Sequence, residues 1–338
     1  MADNNRIFYA CQAVAICKKG HPPSGGAGNE VDFAKGVQSL GMNTNFDLTQ
    51  VFQFGQSQIY ANLEDIATVE VTMEKAIDGE KLLYLDCVGE IGKTDLVGAS
   101  QQECDLYLAI YDDSVAQVDN TTPRHIVYCS GLVMGNVSYS WSVDNYCTES
   151  ITLTGNEKFW DTNTYGVIGL SPSGLWGTNT ATGLDGSDTP ATGLIRRANV
   201  DIANCTIPGD IPNVGNNKGR IQSITISADF GREDANELGS FGPYFQTPSA
   251  TIEVTSEFEV ISARGDQVAH SGTAENLVDR TIIIADDAGT VVGTGTSNKL
   301  TSVSYGGGDT GGGNSTVSYS YSSFNSLTVQ GGGTYWTG

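Results

Sequence analysis

Residues 252–260 alternate strictly between apolar and polar. Ile252, Val254, Phe258 and Val260 fall on one side, and Glu253, Thr255, Glu257 and Glu259 on the other. A period of two predicts a half-buried β-strand. Residues 69–74 repeat the pattern, with Glu70, Thr72 and Glu74 facing outward. In 136–143 and 315–329, Ser and Thr alternate with Tyr, Trp or Val, a composition suited to hairpin strands. Helical signals are few. Residues 232–238, closed by Gly239, carry a helix stop and predict one short helix, and 273–278 predict another. The remainder reads as strands and loops, so the fold class is all-β with minor helices: a β-sandwich or barrel.

The patterned segments recur in order. Gln38 to Phe46 aligns with Gln222 to Phe230, each preceded by Lys-Gly. Gly55 and Tyr60 match Gly239 and Tyr244 at the same spacing, and 69–74 matches 252–257. An apolar stretch ending in Asp112-Asp113 matches one ending in Asp286-Asp287, and 137–142 matches 317–322. Five blocks at offsets of about 180 residues predict two tandem copies of one β module, residues 1–190 and 191–338. Residues 171–193, rich in Gly, Thr, Ser and Pro, read as the linker.

Residues 221–261, with Arg232-Glu233-Asp234, Glu237-Leu238-Gly239, Pro243-Tyr244 and Ile252-Glu253-Val254-Thr255, resemble the tail tube (major tail) proteins of tailed bacteriophages. Residues 46–79 and the 315–321 stretch are similar to the same family. The resemblance implies β-sandwich modules whose inner sheets join around a ring, with rings stacked into a tube that conducts the genome. Most members supply one module to a six-membered ring, so two fused modules imply a trimer with pseudo-sixfold symmetry. It further implies a tape-measure protein and, where the tail contracts, a sheath as partners, with double-stranded DNA passing through the lumen. The location implied is the virion tail, assembled in the host cytoplasm. Under this reading Glu70, Glu74, Glu253, Glu257 and Glu259 line the lumen. The strands carrying Val137, Tyr139, Trp141, Val317, Tyr319 and Tyr321, or segment 171–193, reach across subunits.

Charge bears on that reading. Of 338 residues only 17% are charged, yet 39 are acidic against 17 basic, a net −22. The two copies hold 24 acidic and 9 basic, and 15 and 8, so both are acidic. Such a surface repels phosphate and excludes a DNA-gripping protein. No run reaches the eighteen apolar residues that a spanning helix needs. Residues 7–17, following Arg6 and containing Ala13-Val14-Ala15, superficially resemble a short signal peptide, but Asp3 and Gln12 count against it. Seven cysteines without a C-x-x-C pair read as buried thiols of a reducing compartment, with disulfides in a released particle the alternative.

Candidate chemistry is sparse. His21, His125 and His270 sit in unrelated contexts. Asp112-Asp113 and Asp286-Asp287 could hold a hard cation or act as an acid pair, and read more simply as turns. The glycine clusters 306–308, 311–313 and 331–333 lack the helix and lysine of a phosphate loop and read as flexible connectors. No catalytic residue, cofactor or metal is expected. The alternative function is a non-enzymatic tandem β-sandwich binding, adaptor or decoration module of a virion.

Overall fold

The computed structural model describes residues 7–20, 31–111, 125–161, 193–200 and 202–336, apart from 203, 215–216, 219, 241, 244, 249–250, 267, 270–277, 309–312 and 334. It is all-β with minor helices. The first half contains β1 (Gln12–Lys18), β2 (Val31–Phe33), β3 (Val37–Asn45), β4 (Leu48–Phe52), β5 (Ile59–Glu64) and β6 (Thr68–Ala76). Helices α1 (Leu83–Val88) and α2 (Leu96–Ser100) follow, then β7 (Glu103–Ile110), β8 (His125–Ser142), β9 (Thr148–Gly155) and β10 (Glu157–Asp161). The second half has the two-residue β11 (Asn213–Val214) and β12 (Asn217–Lys218), then β13 (Arg220–Asp229), β14 (Arg232–Ala235), β15 (Phe245–Pro248) and β16 (Glu253–Ile261). It closes with β17 (Ile283–Ala285), β18 (Val291–Gly293), β19 (Lys299–Gly306), β20 (Thr316–Phe324) and β21 (Thr328–Gln330).

Eight of these strands form one antiparallel layer in the order β3-β6-β9-β8-β13-β16-β20-β19. The eighteen-residue β8 belongs to two layers. Its second half lies in the long layer, and its first half pairs with β7, continued by β1 and β2, and with β10. Alternation gives the long layer one apolar face, including Val71, Met73, Val137, Tyr139, Ile151, Ile226, Val254, Phe258, Tyr319 and Tyr321, all buried in one continuous core. The back layer and α1 cover that face in the first half, and the small sheet β17-β18-β21 adds to the core in the second.

The two quartets of the long layer share their registers. In β3·β6, Ser39 opposes Glu74 and the register shifts at Gln38; in β13·β16, Ser223 opposes Glu259 and it shifts at Gln222. At both bulges the glutamine side chain donates to a carbonyl two residues back, Gly36 and Arg220, at 3.0 Å. A further shift falls at Gly135 in β8·β9 and at Thr301 in β19·β20. Bulges re-aim strands at fixed positions and are built features of a sheet. By position in the layer β9 therefore answers to β20 and β8 to β19. The similar strings 137–142 and 317–322 lie on strands one place apart, and Glu74 answers to Glu259, two residues beyond its partner in the sequence alignment.

Three further expectations are corrected. Residues 232–238 are not helical: Arg232–Ala235 is β14, paired with β15, and Gly239 (φ 97°) is a turn glycine. The helix-stop signal and the hairpin-turn signal are the same residue. The helices that do form, α1 and α2, escaped notice because all six α1 residues are buried, leaving no polar face to produce a 3.6-residue period. Residues 331–333 are not flexible connectors, since a Cβ on Gly332 would fall 2.1 Å from the Gly79 carbonyl oxygen. The expected helix at 273–278, apart from Val278, and the linker 171–193, apart from Gly193, lie outside the described residues.

Tyr335 and Trp336 close onto the first half. Tyr335 Oη accepts from the Leu82 N–H at 2.9 Å, Trp336 Nε1 donates to the Asp86 carbonyl at 2.9 Å, and the Glu90 N–H donates to the Trp336 carbonyl at 2.8 Å. Beneath lies a buried polar cluster. Glu149 accepts from the N–H groups of Leu83 and Tyr84 and from Tyr139 Oη, and Lys75 contacts Asp78 and donates to the Lys81 carbonyl. Burial raises the Asp86 carboxyl from its ordinary 3.8 to about 7 despite the opposing pull of Lys81 and Lys75, and burial likewise raises Glu149. A carboxyl raised on folding binds more protons in the folded than in the unfolded state between those pH values. Stability is therefore expected to fall as pH rises from about 4 to 7, by up to about 1.4 kcal/mol per pH unit for one such group. Melting temperatures across that window, with Asp86→Asn flattening the slope, check this.

Candidate functional site

The outer face of the long layer is polar over most of its length, with the exposed Phe324 at the end of β20, opposite Glu253, as an apolar exception. One cross-strand row runs Ser39, Glu74, Ser150, Ser138, Ser227, Thr255, Ser322, Lys299 across all eight strands. A second runs Thr148, Ser140, Thr225, Glu257, Ser320, Ser302. Short side-chain bonds tie neighbouring strands: Ser227 to Thr255 at 2.8 Å, Ser322 to Glu253 at 2.8 Å and Ser223 to Glu259 at 3.3 Å. Such cross-strand pairs, opposed or diagonal, are the unit of sheet stabilisation.

All five sequence-selected glutamates lie on this one face. Glu253, Glu257 and Glu259 are exposed, and Glu70 and Glu74 are half-buried. Asp229, opposite Glu253 and missed in the sequence reading, makes a sixth carboxylate. Of the cations on these strands Lys75 is buried on the core side, while Arg220 and Lys299 stand at strand ends on this face, and Lys299 pairs with Asp279 at 2.7 Å. The face is a broad acidic surface of small hydroxyl side chains between carboxylates.

The six aromatic and valine positions expected to reach other subunits do not point outward. Val137, Tyr139, Val317, Tyr319 and Tyr321 are 0% exposed and Trp141 is 3% exposed. Their strands are interior to the layer, paired on both sides. The Ser/Tyr alternation is that of a half-buried strand whose apolar side faces the chain's own core.

The exposed apolar surface lies elsewhere. Hairpin β4·β5 and its flank present Phe46, Leu48, Phe52, Phe54, Tyr60 and Leu63 to solvent. So many exposed apolar side chains on one hairpin are unusual for a surface that meets only water. The clue in the sequence is four aromatics within 46–60 that fit no strand period. The matching hairpin β14·β15 exposes Leu238 and Phe245, and its Gln246 donates to Asn156 at 3.0 Å.

The halves meet along β8·β13, where Ser138 opposes Ser227 and Tyr139 opposes Ile226. Beyond the ladder, the Phe230 N–H donates to the Gly135 carbonyl at 3.0 Å, and Arg232 Nε and Nη2 donate to the Met134 carbonyl at 2.9 and 2.6 Å. The Phe230 ring is fully buried, 6.5 Å from the Tyr84 ring. Burial lowers the Arg232 pKa to about 10.

His125 begins β8 opposite Ile110. His21, His270, Asp112 and Asp113 lie outside the described residues. Asp286 closes a turn, its Oδ1 accepting from the N–H groups of Ala288 at 3.0 Å and Thr290 at 2.9 Å. Six cysteines are buried, Cys205 is half-buried, and no disulfide joins any of the seven. Among the described residues no group of three or more His, Cys, Asp or Glu is placed to hold a metal, and no helix is long and apolar enough to cross a membrane.

No family model matches the chain and no curated protein is similar to it. Solved structures give weak likenesses. A chain of the anti-feeding prophage baseplate is 9% identical, with 47% of this chain and 97% of that chain covered and a TM-score of 0.34. A chain of the sheath–tube complex of an extracellular contractile injection system in its extended state is 13% identical, covering 47% and 93%, at 0.34. A chain of the anti-feeding prophage tube-terminating cap is 13% identical, covering 48% and 95%, also at 0.34.

The two faces of the layer predict opposite responses to charge. Tyr319→Lys places an unpaired charge in the core and is expected to cost about 4 kcal/mol or more, enough to abolish soluble folded protein. Glu257→Gln on the outer face is expected to change stability by less than about 0.5 kcal/mol. Urea titrations of both variants check this.

Proposed function

We propose that this chain is a structural subunit that assembles with its own copies into stacked rings, forming the tail tube of a phage-like particle with the acidic sheet face lining the bore. The observation that carries the reading is the uninterrupted eight-stranded face, whose six carboxylates face two cations at strand ends. DNA carries one negative charge per ~1.7 Å of axis. A basic wall would grip those phosphates, whereas an acidic wall of short hydroxyl side chains repels the duplex and lets it slide. The matched registers and bulges of the two quartets support reading the chain as two tandem modules, 1–190 and 191–338. Two modules per chain make the ring a trimer with pseudo-sixfold symmetry. A tape-measure protein would occupy the bore before DNA does, the location would be the virion tail, and assembly would occur in the host cytoplasm.

The exposed apolar hairpin β4·β5 also supports a second reading, a tandem β-sandwich adaptor or decoration module that docks through those aromatics. Electron microscopy of the purified protein separates the two. Stacked hollow rings of three chains are expected; monomers or isolated spikes favour the adaptor, and six chains per ring would sink the trimer. Within a particle, changing Glu70, Glu74, Glu253, Glu257 and Glu259 together to Lys is expected to leave tubes intact and to slow genome ejection, measured as DNA release over time.

A further inference from the structure

The long layer ends in two strands that, among the described residues, pair on one side only: β3 pairs with β6, and β19 with β20. Exposed strand edges template pairing with another chain. Nothing in a bare edge says what register that pairing takes, but this chain contains a worked case. By position and by bulge, β3 answers to β13 and β19 answers to β8, and β8 and β13 are paired with each other at the junction between the halves.

We infer that β19 of one copy pairs antiparallel with β3 of the next in the register already used by β8·β13. Transferring that register sets Tyr305 opposite Met42, Ser304 opposite Asn43, Val303 opposite Thr44 and Ser302 opposite Asn45. The inference deepens the ring reading above and rests on it for the head-to-tail order of copies. Each contact is heterologous, so copies add in one direction until the rotation closes.

Exposure of matched residues supports the transfer independently of register. Tyr139 on β8 is 0% exposed and its counterpart Tyr305 is 53% exposed. Phe230, just past β13, is 0% exposed, inserted beside Tyr84, and its counterpart Phe46 is 72% exposed. Ile224 and Ile226 are buried on β13, and Leu40 and Met42 on β3 are half-buried. The edges thus carry the same apolar side chains as the internal junction, on the same face, without the strand that covers them there. Pairing would bury Tyr305 and Phe46 as their counterparts are buried, and would carry the serine-rich row from Ser304 onto Asn43 of the next copy.

Asn43 is exposed at one edge and Ser304 at the other, so neither is needed for the fold of a single chain. Like charges directly opposed across strands repel, and opposite charges attract. Association of the full chain, followed by mass photometry over a dilution series, is expected to weaken about tenfold in Asn43→Lys/Ser304→Lys and to recover in Asn43→Lys/Ser304→Glu. Asn43→Cys/Ser304→Cys is expected to give reducible links between chains under mild oxidation, while Ser138→Cys/Ser227→Cys links within one chain and serves as the control. A wild-type chain that stays monomeric, a Lys/Glu pair no better than Lys/Lys, or links within chains but none between them would each overturn the inference. Links between chains without hollow rings in the micrographs would sustain this pairing and sink the tube reading, whereas rings without the links or the charge rescue would do the reverse.

Discussion

The antiparallel ladder between β8 and β13 is the constraint on which the rest depends. Without it the chain would hold two separate sheets, each with its own raw edges. With it, the apolar sides of the two quartets merge into one core and their polar sides into one acidic surface. The period of two along each strand then has a consequence beyond the strand. Once Tyr139 and Ile226 are committed to the core, the serines beside them must face the other way. A slip of one residue would turn carboxylates inward and tyrosines outward across the junction. The Phe230 and Arg232 contacts past the end of the ladder hold the register in place.

Strands with one wet and one dry face were legible in the sequence because alternation is local. Residues 69–74 and 252–260 needed no knowledge of their neighbours. The six positions at Val137, Tyr139, Trp141, Val317, Tyr319 and Tyr321 were correctly read as lying on strands, but their burial depends on layers built from other parts of the chain, such as α1 and the β17-β18-β21 sheet. The buried run of α1 was unreadable for the converse reason. A helix covered on every side shows no stripe, and its six residues read equally well as strand. The match of 137–142 to 317–322 compared composition, while position in the sheet is set by pairing and bulges, which no single segment encodes. The acidic surface was partly visible: five glutamates on two strands were found, but that they share one face with Asp229 follows only from the pairing of β13 with β16.

The polar cluster beneath the helices trades stability for definition. Glu149 is fully buried, yet it satisfies two backbone N–H groups at the start of α1 and the hydroxyl of Tyr139. Those donors would otherwise be orphaned at a short helix's first turn. A single carboxyl thus ties α1, β8 and β9 together, where apolar packing alone would let a six-residue helix slide. Lys75, on the strand beside it, is likewise held by Asp78 and a backbone carbonyl, so the charges within the core are mutually arranged.

Tyr335 and Trp336 make the helical layer of the first half share its fate with the second. The groups they satisfy, at Leu82, Asp86 and Glu90, belong to the first half, and the Trp336 indole reaches back 250 residues to the Asp86 carbonyl. Loop-closure entropy grows only with the logarithm of loop length, so a contact this distant costs little more than a nearer one. Its effect is on cooperativity. The helices cannot open without freeing the segment that follows β21, and the small sheet that holds β21 cannot leave without uncovering the helices. The two halves are thereby bound to melt together rather than in turn.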